Sequence, residues 1–192
     1  DVTSRHDLQL IFDLDTQFLQ TAWKSRGPAL SSVETNEARA ARNWIENWLE
    51  LAAESKAGIV TFASGEISQY RVADTESTLT QLAVALDYLV NVAVDLGVHV
   101  ALRPRFGDLV STIAQWERLQ HWLKTDELGL AADIGEMLQG HEIPLAARLE
   151  RHRDDLSCIY LCDRRAGQQE DLPIGTGDVA HERLIAALAG IN

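Results

Sequence analysis

VHVALRPR (98–105), LGLAAD (128–133) and SCIYLCD (157–163) are three short apolar runs in the second half of the chain, and each ends in a polar residue. Stretches with helical spacing of apolar residues separate them. Each run is therefore predicted to be a parallel strand followed by a crossover helix, because strands covered on both faces are almost continuously apolar. Polar groups that follow such strands gather at the carboxyl edge of the sheet, where a pocket would form.

The same alternation of strands and helices continues toward the N-terminus. Helices are predicted over 37–56, 77–96, 110–124, 145–153 and near 178–189. Six strands are predicted, over residues 8–14, 29–34, 59–64, 98–103, 128–133 and 157–163. A short helix is expected after the first strand, and a single helix across 7–25 is the alternative. Alternating strands and helices predict a parallel α/β fold, with residues 1–192 as one domain.

Composition narrows the range of partners. The 192 residues are 46% hydrophobic, enough for one sizeable core, and the net charge is −12. An acidic surface repels nucleic acid and anionic lipid, so neither is expected as a partner. Cys158 and Cys162 lie too far apart on one strand to pair, which favours reduced thiols and a cytoplasmic location.

Export signals are not visible in the sequence. No uninterrupted apolar run reaches the roughly 20 residues that span a bilayer, and no basic-then-apolar leader opens the chain, so a soluble, unexported protein is expected. The chain begins with Asp1 rather than Met. Processing or trimming from a longer protein is therefore one hypothesis.

An ordered series of short motifs resembles one family of enzymes. The motifs are TFASG (61–65), GVHVALRP (97–104), LGLAADIGE (128–136), IYLCDR (159–164) and PIGTGDV (173–179). They resemble the xylose-isomerase-like TIM barrels, which comprise sugar phosphate isomerases and epimerases and an AP-endonuclease-family-2-like branch. The resemblance covers roughly residues 29–190 and implies a barrel of eight strands.

Six predicted strands make this barrel incomplete. By the resemblance, the missing strands are the first and the eighth, which are neighbours in a closed barrel. The strands over 8–14 and 157–163 would then have open edges, and neither carries the proline or lysine that protects an edge. A homodimer that covers these edges is expected.

The resemblance also implies four metal ligands at strand ends, a Glu, an Asp, a His and a final Glu. Asp133 matches the Asp, but Arg103-Pro104-Arg105 stands where the family reads Glu-Pro-His. Tyr160-Leu161-Cys162-Asp163 stands where it reads His-Leu-Lys-Asp. A hard divalent cation is not expected beside a guanidinium, so neither a metal nor another cofactor is predicted. Arg103 is instead expected to form an ion pair with Asp133.

The candidate ligand-binding residues follow from these strand ends. Arg103 and Arg105 could grip an anionic group, and the alternative is a structural Arg103 with a solvated Arg105. The remaining candidates for ligand binding are Asp133, Tyr160 and Asp163. The Gly175-Thr176-Gly177 turn could cradle a phosphate or only shape its loop.

Three functional hypotheses remain open. The first is a sugar isomerase/epimerase-like protein with a degraded metal site, which binds a small, sugar-like and conceivably anionic ligand without catalysis. The second is a metal-independent isomerase or epimerase in which the loop carboxylates of Glu66 and Glu136 move the proton. The third is a fragment or interaction module that another chain completes.

Overall fold

Five parallel strands form the centre of the computed structural model, which describes residues 6, 8–14, 28–66, 75–165, 168 and 170–189. Adjacent strands in the sheet follow the order of the chain, and every neighbouring pair is parallel. The strands are β1 (Ile11–Leu14), β2 (Ile59–Phe62), β3 (His99–Leu102), β4 (Gly129–Asp133) and β5 (Leu156–Tyr160). This order, with helices between the strands, is a curled half-barrel and confirms the predicted incomplete barrel.

The strand predicted over 29–34 is wrong. Ile11 of β1 is paired directly with Ile59 of β2, so no strand lies between them. The backbone N–H of Ser31 donates to Ser64 O at 3.0 Å, and the hydroxyl of Ser32 donates to Glu37 at 2.8 Å. The serines in this segment therefore fasten a turn before a helix, which is a common role for short hydroxyl side chains.

Helices connect the strands and cover the outer face of the sheet. Their bounds are α1 (Thr35–Ser55), α2 (Thr75–Leu96), α3 (Ile113–Gln120), α4 (Ile134–Gln139), α5 (Leu145–Arg151) and α6 (His181–Leu188). Five of them confirm predicted helices, with α3 shorter than expected. Helix α4 was not predicted, because its six residues are too few to show a period. The alternative of a single helix over 7–25 is wrong, because Ile11–Leu14 form the strand β1. Residues 15–25, where the short helix was expected, lie outside the described part of the chain.

The main core lies between the outer face of the sheet and α1 and α2. Leu49 of α1 and Leu82, Leu86 and Leu89 of α2 are each fully buried. They belong to one cluster with Phe62 and other outward-facing strand residues. By length and composition alone, Glu76–Leu96 could cross a membrane, with a mean hydropathy of 1.4. The helix is apolar because its leucines form the centre of this core.

Leu86→Ala should lower the free energy of unfolding by about 3 kcal/mol, since deleting a fully buried leucine side chain costs about 2–5 kcal/mol. The matched control is Val84→Ala, two residues away on the same helix, where the side chain is 63% exposed. This control should change stability by less than about 0.5 kcal/mol. Urea unfolding followed by circular dichroism measures both, and equal losses would contradict the position of α2.

β1 and β5 are the two edge strands of the sheet, as predicted for the first and last strands. β1 and β5 each pair with one neighbour only in the described part of the chain. Every residue of β5 is half-buried, whereas every residue of β2 is buried. Large apolar side chains are exposed next to both edges, at Leu8 and Leu10 before β1 and at Leu161 after β5.

We propose that a second copy of the chain covers these edges, because unpaired strand edges beside apolar side chains favour pairing with another chain. Leu161→Lys and Leu10→Lys should then shift the protein from dimer to monomer at micromolar concentration. Val84→Lys, on the outer face of α2, should leave the dimer intact. Light scattering coupled to gel filtration measures the mass. A wild-type monomer under these conditions would contradict the proposal.

Candidate functional site

The inner, concave face of the half-barrel is a second and smaller layer. Side chains alternate along each strand, so residues two apart share this face. Ile59, Ala101 and Ala131 are buried on it. Ile11, Cys158 and Tyr160 pack over them and remain partly exposed. Small alanines beneath larger edge residues leave room for polar groups at the carboxyl ends of the strands.

Four polar side chains form a connected network on this face. Arg103, directly after β3, places its guanidinium 2.9 Å from the Asp13 carboxylate of β1. The Thr61 hydroxyl of β2 donates to the other Asp13 oxygen at 3.1 Å and lies 2.6 Å from the Tyr160 hydroxyl. The guanidinium also stacks on the Tyr160 ring, 4.9 Å from its centre. β5 therefore curls far enough to touch β2 across the concave face.

The predicted ion pair between Arg103 and Asp133 is wrong. One Asp133 carboxylate oxygen instead accepts hydrogen bonds from the backbone N–H groups of Gly135 at 2.9 Å and Glu136 at 3.2 Å. Asp133 is thus the N-cap of α4, where a carboxylate satisfies the unpaired N–H groups of the first turn. The carboxylate of Asp13 is the partner of Arg103.

Arg105 is not solvated, in contrast to the alternative considered from the sequence. It is buried and lies 3.2 Å from the Asp108 carboxylate, which is also buried. The same Asp108 oxygen accepts the backbone N–H of Gly65 at 3.1 Å. The ion pair therefore joins the loop after β3 to the loop after β2, which gives Arg105 a structural role.

Asp163 is also fully buried. Its two oxygens accept the backbone N–H groups of Arg164, Gly175, Gly177 and Val179 at 2.8–3.1 Å. Burial alone raises the pKa of the carboxyl, but these four donors outweigh it and lower the pKa to about 2. The N–H groups of Gly175 and Gly177 point at this carboxylate, so the turn shapes its own loop instead of cradling a phosphate.

The two predicted loop carboxylates lie close to backbone groups. The Glu136 carboxylate accepts a hydrogen bond from the backbone N–H of Phe106 at 2.8 Å. This bond joins α4 to the loop after β3. Glu66 is exposed and forms an isolated antiparallel bridge with Asp108. Glu66 lies in the loop after β2, as expected, whereas Glu136 lies in the first turn of α4 and not in a loop. The structure does not show the two carboxylates meeting in one cluster.

The ionisable groups of β5 favour their neutral forms. Burial, with a smaller contribution from the adjacent Asp13 carboxylate, raises the pKa of Tyr160 to about 12 and that of Cys158 to about 11. Burial likewise raises the pKa of Cys162 to about 11. Both thiols are free, so at neutral pH the face offers uncharged hydroxyl and thiol groups. A cytoplasmic location stays a prediction.

Comparison with known proteins gives the family. The family model described as xylose isomerase-like TIM barrel matches residues 14–192. The chain belongs to this family. None of the curated proteins matches the chain significantly.

Solved structures with the same fold are sugar epimerases and related proteins of low identity. A D-tagatose 3-epimerase-like protein has a TM-score of 0.80 and 18% identity, covering 98% of this chain and 68% of that chain. An L-ribulose 3-epimerase has a TM-score of 0.78 and 17% identity, and the match covers 98% of this chain and 60% of that chain. The 3-keto-D-glucoside 4-epimerase YcjR from E. coli has a TM-score of 0.76 and 17% identity, and the match covers 97% of this chain and 69% of that chain. This xylose isomerase-like chain therefore spans 60% to 69% of their length.

The metal ligands that the resemblance implies can be compared with the side chains of the described residues. The described residues contain no group of three or more His, Cys, Asp or Glu side chains that could hold a metal ion. Asp133, the residue that matches a family ligand, uses a carboxylate oxygen to cap α4. A guanidinium lies where the resemblance places a glutamate. Hard divalent cations need several oxygen ligands, and these residues do not fit such a site.

Sequence reasoning missed four residues that shape this site. Asp13 and Thr61 interrupt apolar strands, and a polar residue inside such a run was the available signal. Arg164 is buried, and its guanidinium donates to Asp171 at 2.6 Å and to Gly135 O at 3.0 Å. His152 is buried against the Trp116 ring, and its Nε2 lies 3.0 Å from the Glu117 carboxylate.

Proposed function

We propose that this xylose isomerase-like protein binds a small sugar-like molecule on the concave face of the half-barrel and does not use the family's metal chemistry. The network of Asp13, Thr61, Arg103 and Tyr160 is the observation that carries the proposal. It gathers a carboxylate, two hydroxyls and a guanidinium at the carboxyl ends of four strands. Barrel enzymes bind their ligands at this end.

The chemistry of this network suits a polyol. Asp13 is partly exposed, with 32% of its side chain accessible, and Tyr160 is half-buried, so a ligand can reach both. Ligand sites combine an apolar surface with a few well-placed polar groups, and here the Tyr160 ring and the alanines supply the apolar part. Because Asp13 neutralises Arg103, an uncharged sugar is favoured over the anionic ligand considered from the sequence.

The solved relatives suggest which sugars to test first. These proteins are described as acting on or binding D-tagatose, L-ribulose, D-psicose or D-fructose. Another neighbour is described with a bound zinc atom. Ketoses are therefore the first ligand class to examine, with zinc as the first metal.

Catalysis without metal needs a base, and neither Tyr160 nor Cys158 of β5 is a good one. Tyr160 and Cys158 hold their protons at neutral pH because their pKa values are about 12 and 11. A general base works best with a pKa near the working pH. Metal-independent isomerisation by Glu66 and Glu136 stays the alternative hypothesis.

A ligand panel tests the proposal. Thermal-shift assays in EDTA with ketoses, aldoses and sugar phosphates should identify a binder, and titration calorimetry should give its Kd. Tyr160→Phe should weaken binding about fivefold, because one hydrogen bond contributes about 1 kcal/mol. Tyr88→Phe is the control, since Tyr88 is exposed and bonds Glu46 on the outer layer.

The outcomes separate the hypotheses. Binding of a ketose in EDTA with no isomer formed, as followed by NMR, supports the proposal. Isomer formation in EDTA would instead support metal-independent catalysis. Stabilisation only after zinc or manganese is added, or no sugar binding at all, would contradict it.

A further inference from the structure

We infer that the Arg103 guanidinium is a built-in cation that takes the place of a divalent metal ion at the mouth of the half-barrel. The inference concerns the same site as the proposed function, but it needs no sugar to be tested. By the resemblance, Arg103 stands where the family has one of its metal ligands. Its guanidinium would supply the positive charge that a bound metal ion supplies in the family.

Three strands fix the position of this charge. The backbone N–H of Arg103 donates to Phe62 O at 2.8 Å, which continues the pairing of β3 with β2. Its side chain is 8% exposed and is held by the Asp13 carboxylate of β1 and the Tyr160 ring of β5. A guanidinium does not lose its proton in a protein, so the charge is permanent.

A permanent charge at this place has two electrostatic consequences. It stabilises the Asp13 carboxylate, which would otherwise be available as an oxygen ligand. It also repels any second cation, and the repulsion is strong because the surroundings are only partly hydrated. The wild-type protein should therefore bind no divalent cation at this mouth.

Reversing the charge should create the missing site. Arg103→Glu places a second carboxylate beside Asp13, on the concave face that β4 and Asp133 also border. Oxygen ligands of this kind suit Mn²⁺. Arg118→Glu is the control, since it makes the same charge change at an exposed position on α3.

The experiment is a titration of the metal-free full chain with MnCl₂, followed by electron paramagnetic resonance of the free ion. Arg103→Glu should bind one Mn²⁺ per chain at least tenfold more tightly than wild type or Arg118→Glu. Adding Asp13→Asn to Arg103→Glu should abolish this gain. If Arg103→Glu unfolds without metal, millimolar Mn²⁺ should restore its folded circular dichroism spectrum, and the same addition should not stabilise wild type.

Two results would overturn the inference. One is stoichiometric Mn²⁺ binding by wild type. The other is an Arg103→Glu protein that neither binds Mn²⁺ nor is rescued by it, in which case the guanidinium does not occupy a cation position. Neither result depends on whether a sugar binds, so failure here is distinguishable from failure of the proposed function.

Discussion

Asp163→Asn is expected to cause the largest loss of stability of any single polar substitution in the described part of the chain. The carboxylate is fully buried and accepts four backbone N–H groups, and His181 Nε2 lies 3.4 Å from it. An amide has one acceptor oxygen, so its NH₂ group would face backbone donors and leave some unsatisfied. Thermal unfolding should show a Tm well below that of Asp126→Asn, an exposed control.

The loss should depend on pH. The pKa of Asp163 is about 2 in the folded protein, below the ordinary value of 3.8. A lowered pKa contributes stability that is fully present above the unfolded value and is lost as the pH falls through the folded value. The difference between wild type and Asp163→Asn should therefore be constant above about pH 5 and shrink toward pH 2. A difference that does not change with pH would contradict the charge assignment.

Asp13→Ala should lower the free energy of unfolding by about 3 kcal/mol. This value is the lower end of the range for breaking a buried ion pair, because Asp13 is partly exposed. The Arg103 guanidinium would lose its 2.9 Å contact with this carboxylate while it stays buried over the Tyr160 ring. The double change Asp13→Leu with Arg103→Met should recover much of the loss, because apolar groups replace both charges.

Urea unfolding of the two single variants and the double variant gives the coupling energy of this pair. Asp133→Ala with Arg103→Met is the control cycle, because Asp133 uses a carboxylate oxygen to cap α4 and the ion pair of Arg103 shown at this face is with Asp13. Additive effects for Asp13 and Arg103, or strong coupling of Arg103 with Asp133, would mean that the network is assigned to the wrong carboxylate.

Local sequence patterns were sufficient for most elements of this fold. Nearly continuous apolar runs at 59–64, 98–103 and 128–133 predicted β2, β3 and β4, since both faces of these strands are covered. The failure at 29–34 has a local cause. Two serines follow two apolar residues there. The Ser31 hydroxyl donates to Gly65 O and the Ser32 hydroxyl donates to Glu37, so this segment is a hydrogen-bonded turn before α1 and not a strand.

The partners of the site residues could not be predicted in the same way. The choice between Asp13 and Asp133 for Arg103 depends on how far the sheet curls, which no short pattern encodes. The cap of α4 also competes for Asp133, and a six-residue helix was not visible in the sequence. Asp163 resembled a pocket residue because nothing local shows that the loop at 175–179 folds back onto it.

Anomalous X-ray diffraction from wild-type crystals grown with MnCl₂ and a ketose tests the central claim most directly. We expect no manganese peak at Asp133, with Arg103 in contact with Asp13 and Tyr160, and the sugar bound beside them on the concave face. A manganese peak coordinated by Asp133, with the Arg103 guanidinium turned away from the mouth, would contradict it.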